Sequence, residues 1–255
     1  MMMAFRTFGL LAVAVALAAC GAPPVARGIT DPNETANRAV HEFNKDLDRT
    51  VLRPVATAWG EVVPEPVRRS VSNLAGNFDL PGDIANNLLQ GNVGNAGHNL
   101  FRFAINTTLG VGGLFDPAAS FGLDHRISDF GETLHVWGVR EGNFVETPVL
   151  GPSTERDMVG KIVDYGLNPL RIALPAEAQT AWIASSGAAA IDARYRFRST
   201  IDGVLYDSAD SYATSRLFYL ENRRFRLGQA DPGEEADPFA DPFGEADPYA
   251  NPFGN

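Results

Sequence analysis

The sequence predicts a mainly α-helical chain with a single folded domain over residues 31–227. Three observations carry that expectation. An apolar stripe recurs at three- and four-residue spacing from Ala36 to Trp59, Gly and Pro punctuate each later helical stretch, and alternating strand patterns are scarce.

The first stripe is Ala36, Val40, Phe43, Leu47, Val51, Val55 and Trp59. It reads as one amphipathic helix of about seven turns. Pro54 has no amide hydrogen to donate, which predicts a kink near Thr50. A second helix is expected from Pro66, a favoured first-turn position, with Val67, Val71 and Leu74 inward. Next comes a stretch from Leu80 to Gln90 carrying Ile84 and Leu88, stopped by Gly91. Val93 to Leu109 continues with Ala96, Leu100, Phe103 and Ala104. The run VGGLFDPAA at 111–119 breaks the pattern, because Gly112 and Gly113 permit positive φ and Asp116-Pro117 favours a turn. Phe130 to Trp137 suits one short helix, and Phe144 to Gly151 reads as extended or irregular. Thr154 with Asp157 offers a capping box for a helix to Tyr165. Two later helices are expected at 176–198 and 204–226, the last ending in Arg223, Arg224 and Arg226, which suit the negative end of a helix dipole.

The two ends have a different character. Residues 1–19 contain one basic residue, Arg6, and an apolar run from Phe8 to Ala19 that is too short to span a bilayer. Leu17-Ala18-Ala19-Cys20 resembles a lipobox, and Cys20 is the only cysteine among 255 residues. That placement predicts a lipoprotein signal over 1–19, with Cys20 carrying a diacylglycerol and an N-acyl chain. Gly21 after the cysteine, where an Asp would favour inner-membrane retention, implies sorting to the outer membrane. Residues 20–30 form a Pro- and Gly-containing tether. At the other end, EADPFADPFG (235–244) is repeated as EADPYANPFG (245–254) within an acidic tail, 228–255. Its Asp-Pro steps oppose both helix and strand, which predicts disorder. Such a tail is either an inert solubiliser or a docking peptide that uses its Phe and Tyr rings.

Charge excludes one class of partner. Formal net charge is −10, and loss of the signal with Arg6 makes it −11. Nucleic acid is therefore not expected, since binding it relies on Lys and Arg. A single cysteine rules out an intramolecular disulfide.

No catalytic constellation emerges. HEFNK at 41–45 begins like a zinc-protease helix, but Lys45 stands where the second histidine is required. His98, His125 and His135 are scattered, and no G-x-S-x-G elbow occurs. Ser153 follows a Pro at a helix entry, while Asp46 and Asp48 read as a solvated charged face. The glycines at 110–113 lack the length and Lys of a phosphate loop. No metal or cofactor is expected beyond the acyl chains, and the chain does not read as an enzyme.

Seven segments in order then carry a resemblance: DPNETANRAVHEFN (31–44), RPVATAW (53–59), SNLAGN (72–77), NNLLQG (86–91), RFAINTTLGVGGLFDPA (102–118), DFGETLHVWGV (129–139) and PVLGPSTERD (148–157). Each alone is weak, but their joint order resembles the MlaA/VacJ lipoprotein family. The resemblance implies a ring of amphipathic helices in the inner leaflet of the outer membrane, around an amphipathic channel. It implies removal of misplaced phospholipid from the outer leaflet, trimeric porins as neighbours and a periplasmic carrier that receives the lipid. Phe43, Asn44, Gly110, Val111, Gly112 and Gly113 are the candidate channel residues. The turn after Val139 departs from the family pattern, being more polar at Arg140, Asn143 and Glu146.

Overall fold

The computed structural model describes residues 29–229. The signal, Cys20, nearly all of the tether and the decapeptide repeats lie outside the described residues. The helices, in order, are α1 (Glu34–Leu47), α2 (Arg53–Val62), α3 (Glu65–Leu89), α4 (Val93–Thr108), α5 (Pro117–Ser120), α6 (Phe130–Val136), α7 (Glu155–Leu167), α8 (Leu170–Ala173), α9 (Ala176–Arg196), α10 (Arg198–Asp202) and α11 (Ser211–Arg226). Between α6 and α7 sits one antiparallel hairpin, β1 (Phe144–Thr147) with β2 (Gly151–Thr154), in which Phe144 faces Thr154.

The expected kink near Thr50 is a π-helical turn, Asp48–Leu52, that joins α1 to α2. Arg53 N donates to Asp48 O, five residues back, so the wider turn carries the chain past the missing amide of Pro54. The predicted break before Leu80 does not occur. Residues 65–89 form one helix with Pro81 buried inside it. The turn at Pro81 is stabilised from outside, because the Phe78 carbonyl accepts from Asn168 Nδ2 at 2.9 Å. Gly91 stops α3 at φ 74° as expected, and α4 folds back from it with Asn92 as its cap. The Thr154 cap is also as expected, its Oγ1 accepting from Asp157 N at 3.2 Å. The last helix is shorter than 204–226, because Gly203–Asp207 is a π turn and Asp210 caps a new start at Ser211.

Burial is the unexpected feature. Among the described residues nine hydrophobic side chains are buried, four of them alanines, against twenty-three polar or charged ones. Thirty large hydrophobics are exposed. None of the seven residues in the Ala36–Trp59 stripe is buried, and Phe43 is 54% exposed. The inner line of α1 and the π turn is instead Asn37, His41, Asn44 and Asp48, at the same helical spacing. Val67, expected inward, is also exposed, and so is Leu100, while Asn99 and Asn106 of α4 face in. A water-soluble domain buries its large apolar side chains and leaves no such continuous apolar exterior. The buried apolar cluster among the described residues is small, Phe144 with Tyr212 and Leu220, flanked by Tyr219.

Buried polar groups must find partners, and here they do so in networks. Asp48, read from sequence as solvated, is 5% exposed and binds Arg194 through both oxygens at 2.7 and 2.8 Å. Tyr206 adds a third bond to it at 2.7 Å. Arg223 reaches Asp129 at 2.6 Å and Asp157 at 2.9 Å, and Tyr219 donates to Asp157 at 2.6 Å. Burial raises the Asp157 pKa, but Tyr219 and Arg223 outweigh it and hold the carboxyl below its usual range. Arg223 in the last turn of α11 thus links the cap of α6 to α7, rather than merely neutralising a helix dipole.

A polar cleft between the third and fourth helices

The α3–α4 hairpin brings two asparagine-rich faces together around a cavity of about 150 Å³. Asn73 and Asn77 line it from α3, and Arg102 and Asn106 from α4. Asp116 and His125 complete the wall. Asp116 accepts from Arg102 Nη2 at 2.6 Å and from Asn106 Nδ2 at 2.9 Å. Burial pushes the Asp116 pKa up, yet the Asn106 and Arg102 bonds leave it lower than an ordinary carboxylate. His125 Nε2 lies 2.6 Å from Asp83 Oδ2, and Asp83 Oδ1 accepts from Ser128 N at 3.0 Å. Ser72 Oγ and Asn77 Oδ1, on lining residues, have no hydrogen-bond partner in the protein.

The glycine segment forms one rim of this cleft. Gly112 N donates to Thr107 O and Gly113 N to Asn106 O, both at 2.9 Å, which folds the loop back on the end of α4. Asn77 Nδ2 holds the loop from α3 through Thr107 Oγ1 at 3.1 Å and Gly112 O at 3.4 Å. At Gly110 an added Cβ would collide with the backbone oxygens of Asn106 and Phe115, and at Gly113 with the Asn77 side chain. These close approaches require glycine. Val111 adopts φ 54°, a strained region for a β-branched residue. Its side chain is exposed, with Leu114 and Phe115 beside it. An apolar rim therefore adjoins a wall of amides and charges, the pairing that a molecule with a polar head and apolar tails requires.

Phe43 and Asn44 occupy another place. Asn44 clips the hairpin to α1: Nδ2 donates to Glu146 Oε1 at 3.1 Å and Thr147 O at 3.0 Å, and Oδ1 accepts from Val149 N at 2.7 Å. Phe43 points outward among the exposed apolar residues. Glu146, one of the polar departures in sequence, is buried beside His41 and Asn44. The asparagine wall itself was not singled out in sequence. Its signal was present, since Asn73 and Asn77, and Asn99 and Asn106, recur at helical spacing about a quarter-turn from the apolar positions.

With polar side chains inside and large apolar ones outside, the fold has the burial pattern of a membrane-associated protein, and no helix among the described residues is long and apolar enough to cross a membrane. Among the same residues, no group of three or more His, Cys, Asp or Glu could hold a metal ion. The MlaA lipoprotein family model matches residues 29–226, and the chain belongs to that family. It is 33% identical to the intermembrane phospholipid transport system lipoprotein MlaA of Escherichia coli, with 84% of this chain and 85% of that one covered. An uncharacterised protein of Rickettsia bellii is 37% identical over 74% of each chain. A solved chain, described under maintenance of bacterial outer membrane lipid asymmetry, is 34% identical and superposes with a TM-score of 0.67, covering 78% of this chain and 99% of that one.

Proposed function

We propose that this protein is an outer-membrane lipoprotein, anchored on the periplasmic side through acylated Cys20. In this role it withdraws misplaced phospholipid from the outer leaflet and passes it toward a periplasmic carrier. The observation that carries the proposal is the inverted burial, with amides and ion pairs inside and thirty large hydrophobics outside. Flat amphipathic helices can sit in one leaflet without spanning it, because helices satisfy their own backbone. Arranged as a ring, they would leave a polar route for head groups. The α3–α4 cleft, rimmed by Gly110, Val111, Gly112 and Gly113, is the segment of that route with both surfaces at hand. Its volume of about 150 Å³ admits a head group and not two acyl chains, so the tails would remain against the apolar rim. A trimeric porin is the proposed neighbour that holds the protein in place. The role is transport, with no bond made or broken.

Deletion of the chain is expected to raise outer-leaflet phospholipid, measured by surface labelling of intact cells, and to sensitise them to detergent. No change in either measurement rejects the proposal. The anchor has its own test. A hydroxyl is a poorer nucleophile than a thiol at cellular pH, so Cys20→Ser is expected to leave the precursor uncleaved and in the inner membrane. Correct outer-membrane fractionation of that variant would overturn the role of Cys20.

A further inference from the structure

A second cavity, of about 110 Å³, opens between α3 and α9 and shares Ser72 and Asn73 with the first, so the two form one trough. Its walls carry three arginines, Arg68, Arg69 and Arg196, against two carboxylates, Glu65 and Asp192. Asp192, 3% exposed, is divided between Arg68 Nη1 at 2.6 Å and Arg196 Nε at 2.9 Å. Arg69 is held only by Glu65 one turn away at 2.6 Å, with both side chains more than half exposed. Such an exposed pair contributes little, and its arginine exchanges readily for a better anion. Beside the cluster lie Ser72 Oγ, buried without a partner, and the exposed ring of Phe197, 5.7 Å from the Arg196 guanidinium.

We infer that the Arg68–Arg69–Arg196 cluster is a phosphate station for the phospholipid head group, at the end of the trough remote from the glycine loop. This rests on the lipid-transport proposal and adds the chemistry that the site recognises. A phosphodiester accepts the paired N–H groups of guanidinium in fork geometry, and Arg is the side chain suited to that bond. Asp192 keeps Arg68 and Arg196 oriented while leaving terminal N–H groups of each for the ligand. Glu65 competes for Arg69, which makes phosphate capture reversible, as a relay requires. Ser72 would donate its hydroxyl to a phosphate oxygen as the head group moves along the trough. Phe197 offers the adjoining acyl chains an apolar surface.

The test uses the full lipidated chain in detergent and four probes: dihexanoyl phosphatidylethanolamine, dihexanoyl phosphatidylglycerol, dihexanoylglycerol and inorganic phosphate. Wild type is expected to bind both phospholipids more tightly than either the phosphate-free diacylglycerol or inorganic phosphate. Arg69→Gln/Arg196→Gln removes charge-assisted bonds and should weaken phospholipid binding roughly tenfold or more, leaving dihexanoylglycerol unchanged. Because a loss can reflect damage, Glu65→Gln supplies the opposite sign: freeing Arg69 should tighten phospholipid binding. Unchanged phospholipid affinity in both variants overturns the station, as does equal binding of the diacylglycerol. Inorganic phosphate binding as tightly as the lipids would show a free-anion site and also overturn it. The transport proposal is judged separately by the deletion phenotype, so it survives if only the station fails.

Discussion

Two regions of this molecule solve the problem of a polar interior in different ways. Where α11 meets α6 and α7, buried full charges are paired: Arg223 with Asp129 and Asp157, buttressed by Tyr219. Where α3 meets α4, neutral amides dominate, with Asn73, Asn77 and Asn106 bonded to loop carbonyls, Thr107 and Asp116. A buried ion pair is intolerant of losing one partner, since the remaining charge has nowhere to go. An amide both donates and accepts, so it can exchange one partner for a head group or water at small cost. The first region is a fixed brace, and the second is a set of groups that can exchange their partners. A protein of inverted polarity relies on such polar contacts, because apolar side chains turned outward contribute little to internal packing.

The largest expected effect breaks the brace. Arg223→Met leaves Asp157 and Asp129 only the longer arginine contacts, Arg156 at 3.3 Å and Arg226 at 3.8 Å, and should destabilise the fold by about 3–5 kcal/mol, read from denaturant unfolding of the detergent-solubilised protein. A loss below about 1 kcal/mol would mean that the pair is not a structural unit. Next comes the rim of the cleft. Gly110→Ala forces a Cβ onto two backbone oxygens and should cost about 1–3 kcal/mol, with the loop displaced and surface-exposed phospholipid raised in cells. Wild-type levels of both stability and surface phospholipid would show that the loop is not tightly seated. The hairpin clip lies in the same range or below. Asn44→Ala strands the Val149 amide and the Thr147 carbonyl, so about 1–3 kcal/mol should be lost, while Phe43→Leu, on the outer face, should change solution stability far less. Equal losses would contradict the division between inner and outer lines of α1.

Acid probes the brace when wild type is compared with Arg223→Met. The folded Asp157 pKa lies below the ordinary 3.8, so its contribution is fully present above that value and is lost as pH falls through the lowered folded pKa. Wild type should therefore weaken below about pH 3.8, and Arg223→Met should show a shallower dependence in that window. Matching pH profiles would remove the brace from the account of acid sensitivity. The smallest effect concerns the tail. Truncation after Gly228 should move the melting temperature by less than the ~2–4 °C that 1 kcal/mol produces in a domain of this size. A larger shift would show that the acidic repeats pack on the domain.

Much of the fold was legible because helix formation is local. The 3.6-residue stripe, Gly91 as a stop, the Thr154 cap and the anomaly at Pro54 all act within a turn or two of themselves. Which face turns inward was not legible from periodicity alone. A stripe of Ala36, Val40, Phe43 and Leu47 marks an apolar face whether it meets a core or a lipid tail, so Val67 was expected inside and lies outside. Nor did the sequence show that the chain runs unbroken through Pro81, beside which Asn168, 87 positions later, donates to the Phe78 carbonyl.

By itself the sequence determined that the chain is helical, where most helices begin and end, that one cysteine stands behind an apolar run, and which ordered motifs tie it to its family. Those features depend on neighbouring residues or on their order. Tertiary structure alone decided that Asp48 is buried against Arg194, that Arg223 in the last turn of α11 braces α6 and α7, and that Asn77 and Asn106 share one cleft beneath a glycine loop. Each of these joins residues far apart in the chain, and the polarity of the interior depends on which such partners meet. Hydrogen-bond partners at long range leave no period in a sequence, and only the folded chain brings them within 3 Å of one another.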